Sequence, residues 1–415
     1  MVPYFLSTPL LRSAVLPFGT VGLLYGSWAA RIPEIQAQTG LNEAQLGGAL
    51  LGLALGLVLS ASATGGLVAK HGAHRIALLG LAVIGVSQAG PGLADSLGLL
   101  TGAFVLIGLA SGVVDVSMNA WAVEVETRGG RPILGACHGV FSLGGMLGAG
   151  LGAAMAALGV SLFAHFATAG VVCASLTLAQ GWRVRQREPD TATQTVTASG
   201  RPTFTLPRGP VAGLAALSFC GLIVEGAMGD WSALFLQDVH GASASLAALG
   251  FGVFMGCMAT ARFAADALTA RFGDRRLVWV GTLLGAVGLV LCLVAPVWPL
   301  AVVGFGLVGL GFAGVVPSLF RAAGRVPGLA GGVGIAAVTS VGYMGFMLGP
   351  PLLGFVAEAT SLRVSFAILV VLAVAMALGS GWAFRRAAVR AEHTGDPDVM
   401  PHDEDRAGNA ASIAA

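Results

Sequence analysis

Long stretches without a charged side chain are the feature that most constrains what this chain can fold into. A helix that crosses a bilayer needs about 20 residues with few or no charges. Ten stretches lack Asp, Glu, Lys and Arg, and they cover 13–30, 44–69, 76–94, 96–114, 133–182, 209–224, 239–261, 277–320, 326–357 and 364–384. Two are long enough for two crossings each: 133–182 predicts a hairpin near Gly159, and 277–320 is broken by Pro296 and Pro299. Twelve membrane spans follow, the fourth extending through Asp115 and the seventh through Glu225.

The composition excludes soluble classes of protein. Hydrophobic residues make up 56% of the 415 residues and charged residues only 10%, against roughly 25% charged in a soluble domain. A water-soluble enzyme, a nucleic-acid binder and a disordered scaffold are therefore excluded for the whole chain. Because lipid offers no hydrogen-bond partner to an open backbone, the spans predict an all-α integral membrane bundle.

No site for a cofactor, a metal ion or hydrolysis is predicted. GxGxxG occurs at 304–309 and at 309–314, but both matches lie within a membrane span with no preceding strand, so they do not indicate a dinucleotide site. The five cysteines lie in apolar stretches without a CxxC pair, so no disulfide or zinc framework is predicted. The chain has a single lysine and no GxxxxGK loop, which excludes ATP-driven transport within this chain. HExxH and GxSxG are absent as well, and we predict no enzymatic activity.

The positive charges predict the orientation in the membrane. Of the 22 basic residues, only Arg31 and Arg363 lie outside one set of alternating segments. Positive residues favour the cytoplasmic side of a membrane. We therefore predict that the protein lies in the inner membrane with both termini in the cytoplasm. The first span lacks a charged leader and a cleavage site, so it is predicted to be a retained anchor.

A long polar loop divides the chain into two halves. The predicted units are an N-terminal six-helix half (1–182), a cytoplasmic linker (183–208), a C-terminal six-helix half (209–385) and a disordered cytoplasmic tail (386–415).

The two halves match each other at a constant offset of 201 residues. The matched pairs are Phe18 with Phe219, Gly40 with Gly241, Lys70 with Arg271, Gly72 with Gly273, Arg75 with Arg276, Gly144 with Gly345 and Gly148 with Gly349. Parallel repeats of this kind predict a solute cavity between the halves near the middle of the bilayer.

The chain resembles the major facilitator superfamily over residues 10–385. The loop 65–75 is similar to the family pattern GxLxDRxGRR, and 266–276 repeats it, although Ala69 and Ala270 replace the family's aspartate. Asp266, one turn from Arg262, is predicted to substitute for that aspartate. The resemblance implies gating loops that contain Gly65, Lys70, Gly72, Arg75, Arg262, Asp266, Arg271, Gly273 and Arg275.

Three shorter segments resemble the MosC-like branch of the superfamily, inner-membrane proteins of the YbjJ type. These segments are 28–34, 115–120 and 138–144. The branch implies a secondary active transporter for a sugar- or inositol-like solute that works by alternating access.

Two carboxylates within predicted spans are candidates for proton coupling. A charge inside the membrane costs about 2.5–3.5 kcal/mol on insertion scales, so Asp115 and Glu225 are candidate functional residues. The family fold implies that spans one, four, seven and ten line the cavity, which places both carboxylates on it. His138 in span five is a candidate proton relay. The alternative for the carboxylates is a structural role in helix packing.

Other polar and aromatic residues are candidates for the substrate cavity. Asn119, Ser142, Gln88 and Trp28 are suited to a polyhydroxylated solute. Trp28 and Arg31 are expected to face Asp230 and Trp231 near the outer ends of spans one and seven. Tryptophan at a membrane interface usually anchors an aromatic belt. The alternative is an outer cavity mouth, where an indole stacks on a sugar face while Arg31 and Asp230 bond its hydroxyl groups.

Glycines at a spacing of four allow helices to approach closely. The resemblance implies that the helices carrying these stripes slide across the interface between the halves. The predicted interface glycines are Gly48, Gly52, Gly56, Gly144, Gly148, Gly152, Gly252, Gly256, Gly345 and Gly349.

The leading interpretation is a monomeric transporter that moves a small solute by proton symport through the lipid bilayer. Proton-driven efflux of amphipathic compounds is an alternative, and so is a transporter-like membrane sensor without turnover.

Overall fold

The computed structural model describes residues 4, 7–185, 209–326 and 331–393, and helices account for all the regular structure in these ranges. They are α1 (Pro9–Ala29), α2 (Ile32–Thr39), α3 (Glu43–His71), α4 (Ala73–Ser87), α5 (Leu97–Gly129), α6 (Leu134–Ala157), α7 (Leu162–Arg185), α8 (Pro210–His240), α9 (Ala244–Phe272), α10 (Asp274–Val294), α11 (Trp298–Phe312), α12 (Val315–Gly324), α13 (Gly331–Ala359) and α14 (Leu362–His393). The predicted all-α fold is confirmed. Most of the predicted linker and the segment 394–415 lie outside the described residues.

Within the described ranges, eleven helical stretches are long and apolar enough to cross a membrane. Two of the predicted spans are not single α-helices: α4 is extended by a 3-10 turn at Gly90–Leu93, and α11 and α12 together form one crossing. The twelfth predicted span is α1, which has 21 residues but is not among these eleven stretches, because the charge of Arg12 lowers its mean hydropathy. Large apolar side chains on the outside of the bundle, such as Leu378 and Val86, are 80% and 75% exposed, as a lipid-facing surface requires.

The helix boundaries follow from the residues that break them. Gly159 has a φ of +67° between α6 and α7, so the predicted hairpin forms at that position. The helix α10 ends at Val294 and α11 begins at Trp298 with a proline in its first turn, which matches the predicted break. The helix α14 continues past Arg385 to His393, so the first part of the predicted tail is helical.

Two glycine pairs at the 201-residue offset share one backbone conformation. Gly40 and Gly241 both have a φ of +65°, and Gly72 and Gly273 have φ values of +86° and +77°. Residues with a Cβ rarely adopt this left-handed region, so each pair ends its helix in the same way.

Helix contacts repeat at the same offset. A Cβ added to Gly108 would lie 2.1 Å from the carbonyl oxygen of Leu53, and one added to Gly309 would lie 2.2 Å from that of Phe254. These two contacts, between α5 and α3 and between α11 and α9, are related by 201 residues. The repeat seen in the sequence is therefore also a repeat of helix packing.

The prediction that the glycine stripes lie between the halves is wrong for most of these glycines. Gly52 and Gly56 pack on α5, whereas Gly144, Gly148 and Gly152 pack on α1, all within the N-terminal half. Gly345 and Gly349 pack on α8 within the C-terminal half, and Gly48 has no neighbour within 4 Å. These helix pairs are not consecutive in the chain, and the glycines allow their backbones to approach closely inside each half.

Only Gly252 and Gly256 of that set contact the opposite half, against Ala149 and Met146 of α6. Other glycines that the stripes did not single out make the remaining close contacts between the halves. They are Gly47 against Pro350, Gly139 against Phe263, Gly145 against Met255, Gly229 against Tyr25 and Gly354 against Glu43.

Alternate helices run in opposite directions between two ends of the bundle. We call the end where α1 begins and α14 ends the terminal face, and the opposite end, where α2 lies, the distal face. One apolar core joins both halves near the distal face and includes Trp28, Ile35 and Trp231. The N-terminal half keeps a separate core toward the terminal face, around Phe18 and Trp121.

The halves therefore pack together at the distal face and part toward the terminal face on one side. Gly47 of α3 touches Pro350 of α13 near the distal face. Toward the terminal face, a Cβ added to Gly65 of α3 or to Gly332 of α13 would meet no atom within 4 Å, and most residues around both glycines are exposed. On the other side, α6 and α9 stay in contact as far as Gly139 and Phe263.

Candidate functional site

A cavity of about 210 Å³ lies between the halves, midway along the helices. It is lined by Val21, Leu24, Tyr25, Trp28, Leu53, Leu57, Ile84, Gln88, Ile107, Ser111, Asp115, Met118, Phe141, Glu225, Phe251, Phe254, Met255 and Phe346. These residues belong to α1, α3, α4, α5 and α6 of one half and to α8, α9 and α13 of the other. A small molecule bound there would contact both halves at once.

Aromatic rings form much of the cavity wall. The ring of Tyr25 lies 5.4 Å from Trp28 and 5.5 Å from Phe251, in edge-to-face arrangements, and 6.3 Å from Phe141 in a stacked arrangement. Trp28 also packs against Phe104 at 5.4 Å. Tyr25 was not predicted from the sequence. Aromatic rings at such distances stabilise one another and present an apolar, electron-rich surface to a ligand.

Glu225 of α8 forms an ion pair within the C-terminal half. Its Oε1 accepts a hydrogen bond of 2.8 Å from Nη2 of Arg262 on α9. The other terminal nitrogen of Arg262 donates to Ser142 Oγ of α6, also at 2.8 Å. Ser142 in turn donates to the carbonyl oxygen of His138. Arg262 therefore links the predicted coupling carboxylate to the opposite half.

This geometry corrects the predicted role of Arg262 in a gating loop. Because charged residues ended the uncharged stretch at Ala261, the sequence placed Arg262 at the membrane edge with Asp266. The helix α9 continues to Phe272, so Arg262 lies inside the bundle and its partner is Glu225. The side chain of Asp266 lies outside the described residues.

Asp115 faces the cavity from α5 without an ion-pair partner among the described residues. Asn119, one turn further on, donates to its backbone oxygen at 2.8 Å and to its carboxylate at 3.2 Å. Asn119 itself does not line the cavity. The cavity wall thus contains two carboxylates, of which only Glu225 is neutralised by a described cation.

Of the predicted substrate groups, Trp28 and Gln88 line the cavity and Ser142 lies behind it. Gln88 is buried, and its Nε2 donates to the carbonyl oxygen of Leu24 at 2.8 Å. His138 does not line the cavity and packs edge-to-face on Phe18 at 5.3 Å. His138 and Ser142 therefore lie beside the contact made by Arg262 and not on the wall of the cavity.

The predicted outer mouth does not form as expected. Arg31 is 2% exposed, forms an ion pair with Glu34 and donates to the carbonyl oxygen of Val160 at 2.9 Å. Trp231 is fully buried against Gly354 of α13. Neither lines the cavity, because each is already bound within the packed distal face.

Asp230 is buried next to this layer and forms no hydrogen bond or ion pair with a described residue. Tyr25 lies within electrostatic range of both Asp230 and Glu225, and its hydroxyl packs against Gly229. Only a glycine leaves room there, because a Cβ would lie 1.8 Å from the tyrosine oxygen.

The loops that resemble the family pattern lie at the terminal face. Gly72 and Gly273 end α3 and α9, Lys70 and Arg75 flank the first turn, and Arg271 stacks on Phe272 at 5.3 Å. Arg275 lies against Gly381 of α14. Asp274 bonds Arg321 at 2.9 Å, which ties the second loop to α12 within its own half.

Two six-helix halves with repeated packing, a midplane cavity between them and one closed end define a secondary membrane transporter. The sequence model of the Major Facilitator Superfamily matches residues 18–266 and 216–399. The chain belongs to this superfamily.

Similar chains are found in several bacteria. An uncharacterized MFS-type transporter of Yersinia pestis is 35% identical over 367 residues, covering 88% of this chain and 93% of its own. An uncharacterized transporter of Sinorhizobium fredii is 33% identical over 370 residues, covering 88% and 96%. Membrane protein MosC of Rhizobium meliloti is 29% identical over 377 residues, covering 89% of each, so the predicted resemblance to the MosC-like branch is confirmed.

Solved structures share the fold at low sequence identity. A bacterial homologue of the human lysosomal transporter Spinster, in an inward-facing, occupied conformation, superposes with a TM-score of 0.72 at 16% identity, covering 93% of this chain and 98% of its own. A variant of the nucleoside transporter NupG gives 0.71 at 14% identity, covering 91% and 100%.

Proposed function

We propose that this transporter exchanges a small amphipathic organic cation for protons by alternating access through the central cavity. The observation that carries the proposal is the cavity wall itself, in which Asp115, without a cationic partner among the described residues, lies among aromatic rings. Aromatic faces attract cations within about 6 Å of the ring centre, and a carboxylate adds a direct charge. A proton and a cationic solute would compete for the same carboxylate, which is the requirement for exchange.

Few neutral polar groups are free to recognise a polyol. Gln88 and Ser111 are the only amide and aliphatic hydroxyl groups that line the described cavity, and the Gln88 amide nitrogen is already bonded to Leu24. A sugar would leave several hydroxyl groups without partners against apolar side chains, at a cost of about 1–3 kcal/mol each.

Symport of a sugar- or inositol-like solute remains the second candidate. Trp28 and Gln88, both predicted from the sequence for that role, do line the cavity together. An indole face can stack on a sugar ring while an amide bonds its hydroxyl groups.

The orientation supports a cavity that opens to the cytoplasm. The terminal face carries the predicted cytoplasmic loops, and the halves part on that side. We propose an inward-facing monomer in the inner membrane with both termini cytoplasmic. Arg262 and Ser142 would separate and re-form as the halves rock, because they lie in opposite halves, whereas Arg262 and Glu225 lie in the same half.

Ligand binding tests the proposal directly. We expect benzyltrimethylammonium to change the fluorescence of the purified protein through Trp28, with an affinity that falls as the pH is lowered. Asp115→Asn should weaken this binding roughly tenfold, as expected for one lost charge-assisted contact. Asp238→Asn, the same substitution at an exposed carboxylate that does not line the cavity, is the matched control. Binding of inositol but not of the cation would favour the second candidate.

A further inference from the structure

A large crevice lies in the C-terminal half, apart from the central cavity. It has a volume of about 1160 Å³ and lies between α9, α10, α14 and the crossing formed by α11 and α12. It shares no lining residue with the central cavity. Its position outside the path between the halves means that it plays no part in the proposed transport cycle.

The depth of the crevice is apolar and faces the lipid. Leu378 is 80% exposed, Val280 is 53% exposed and Trp279 is 49% exposed along its edges. Leu268, Leu284 and other apolar side chains form the walls between these helices. A surface of this kind on a membrane-spanning segment contacts acyl chains.

The mouth of the crevice at the terminal face is basic. Arg275, Arg276 and Arg325 line it with a single acidic residue, Asp274. Asp274 is already bonded by Arg321 at 2.9 Å and by Arg325 at 3.4 Å. The positive charge of the mouth therefore exceeds the negative charge available to neutralise it.

Two of these arginines are available for a ligand. Arg275 and Arg276 form no hydrogen bond or ion pair with a described residue. The guanidinium of Arg275 extends toward α14, where a Cβ added to Gly381 would lie 3.6 Å from Nη2. The absence of a side chain at this glycine leaves the space beside the guanidinium open.

We infer that the crevice binds an anionic phospholipid. Its phosphate would accept hydrogen bonds from Arg275 and Arg276, and an acyl chain would occupy the apolar crevice below. Guanidinium groups bind phosphate strongly through paired hydrogen bonds, and basic pockets between membrane helices suit anionic headgroups. A water-soluble anion would use the arginines but not the apolar walls, whereas a phospholipid uses both.

Native mass spectrometry of the detergent-purified full chain tests this site with phosphatidylglycerol and phosphatidylcholine as probes. We expect the first phosphatidylglycerol to bind the unaltered protein more tightly than phosphatidylcholine. The double variant Arg275→Gln/Arg276→Gln should bind it about thirtyfold more weakly, since each arginine near an anionic lipid contributes about a factor of five.

Two further variants separate the site from general effects of charge and folding. Arg131→Gln/Arg386→Gln removes the same charge from the terminal face outside the crevice and should keep the affinity. Gly381→Leu keeps all the charges but fills the space beside Arg275, and it should lose the tight binding. Unchanged affinity in the Arg275/Arg276 variant, or equal binding of phosphatidylcholine, would overturn the inference.

Discussion

The contact of Arg262 with Glu225 and Ser142 is the most informative arrangement at the scale of single residues. Glu225 and Ser142 each accept a hydrogen bond of 2.8 Å from a different terminal nitrogen of Arg262. The side chain of Arg262 is 13% exposed and that of Glu225 is 21% exposed. Removing one member of a half-buried pair leaves the other charge without a partner, which costs more than removing both.

This asymmetry gives a prediction for stability. Arg262→Gln should lower the free energy of unfolding by about 1–3 kcal/mol, because the Glu225 carboxylate then lacks its charged partner. Adding Glu225→Gln should recover most of that loss, as measured by thermal unfolding of the detergent-purified protein. Additive losses in the double variant would show that the pair contributes no coupling energy.

The close contact between the Tyr25 hydroxyl and Gly229 leads to a second prediction at this scale. Gly229→Ala should strongly reduce transport, because its methyl group would lie 1.8 Å from the tyrosine oxygen and separate the halves. Tyr25 is enclosed by Trp28, Phe141 and Phe251 and has little room to move. Combining Gly229→Ala with Tyr25→Phe should restore part of the uptake into proteoliposomes. A fully active Gly229→Ala variant would contradict this close contact.

At the scale of helices, glycines make two kinds of close contact, one within a half and one between the halves. Gly148 packs against the backbone of α1, with an added Cβ only 2.1 Å from the Leu23 oxygen. Gly256 faces the side chain of Met146 in the opposite half, where the added Cβ would lie 2.6 Å from a flexible thioether. The first contact is internal to one half, and the second must slide when the halves move.

The two glycines should therefore respond differently to the same substitution. Gly148→Ala should destabilise the protein by about 1–3 kcal/mol, since the backbone of α1 has to shift. Gly256→Ala should leave the unfolding temperature nearly unchanged, because a methionine can change rotamer. Size-exclusion profiles and thermal unfolding of both variants provide the measurement. Equal losses would show that both contacts behave as parts of a rigid core.

The helix packing also shows which parts of the fold can be predicted from the sequence. The uncharged stretches, the break after Val294 and the offset of 201 residues identified the spans and the repeat, because a bilayer requires helices of a set length. The glycine spacing was visible too, but spacing does not say which neighbour a stripe faces. Gly144 was assigned to the interface between the halves and instead contacts Gly19 of α1.

The site was predicted only in part, for a similar reason. Asp115 and Glu225 stood out because carboxylates are rare in apolar spans, whereas Tyr25 and Phe251 looked like ordinary apolar wall residues. Their common position becomes visible only when α1 and α9 are brought together. Arg262 was misplaced because a charge near the end of an apolar stretch is usually at the membrane surface.

At the scale of the whole molecule, the halves share one core at the distal face and separate on the α3–α13 side of the terminal face. Glu43 of α3 lies against Gly354 of α13 across the distal closure, and Glu358 lies one turn further along α13. Alternating access requires this contact to open in each cycle, while the side near Gly65 and Gly332 closes.

Cross-linking tests this arrangement. A short thiol-specific cross-linker should join Glu43→Cys to Glu358→Cys and stop transport in proteoliposomes, with recovery after reductive cleavage. The same reagent should not join Gly65→Cys to Gly332→Cys in the conformation described. Each single-cysteine variant, treated in parallel, controls for simple modification. Unimpaired transport by the cross-linked distal pair would mean that the halves do not part there.

Proton movement in proteoliposomes distinguishes cation exchange from symport of a sugar-like solute. A pH-sensitive dye in the lumen would follow the addition of benzyltrimethylammonium or inositol, with Asp115→Asn as the comparison. We expect the cation to make the lumen more alkaline as protons leave in exchange for it, and we expect Asp115→Asn to abolish the signal. Acidification driven by inositol, or a cation signal that persists in Asp115→Asn, would contradict this proposal.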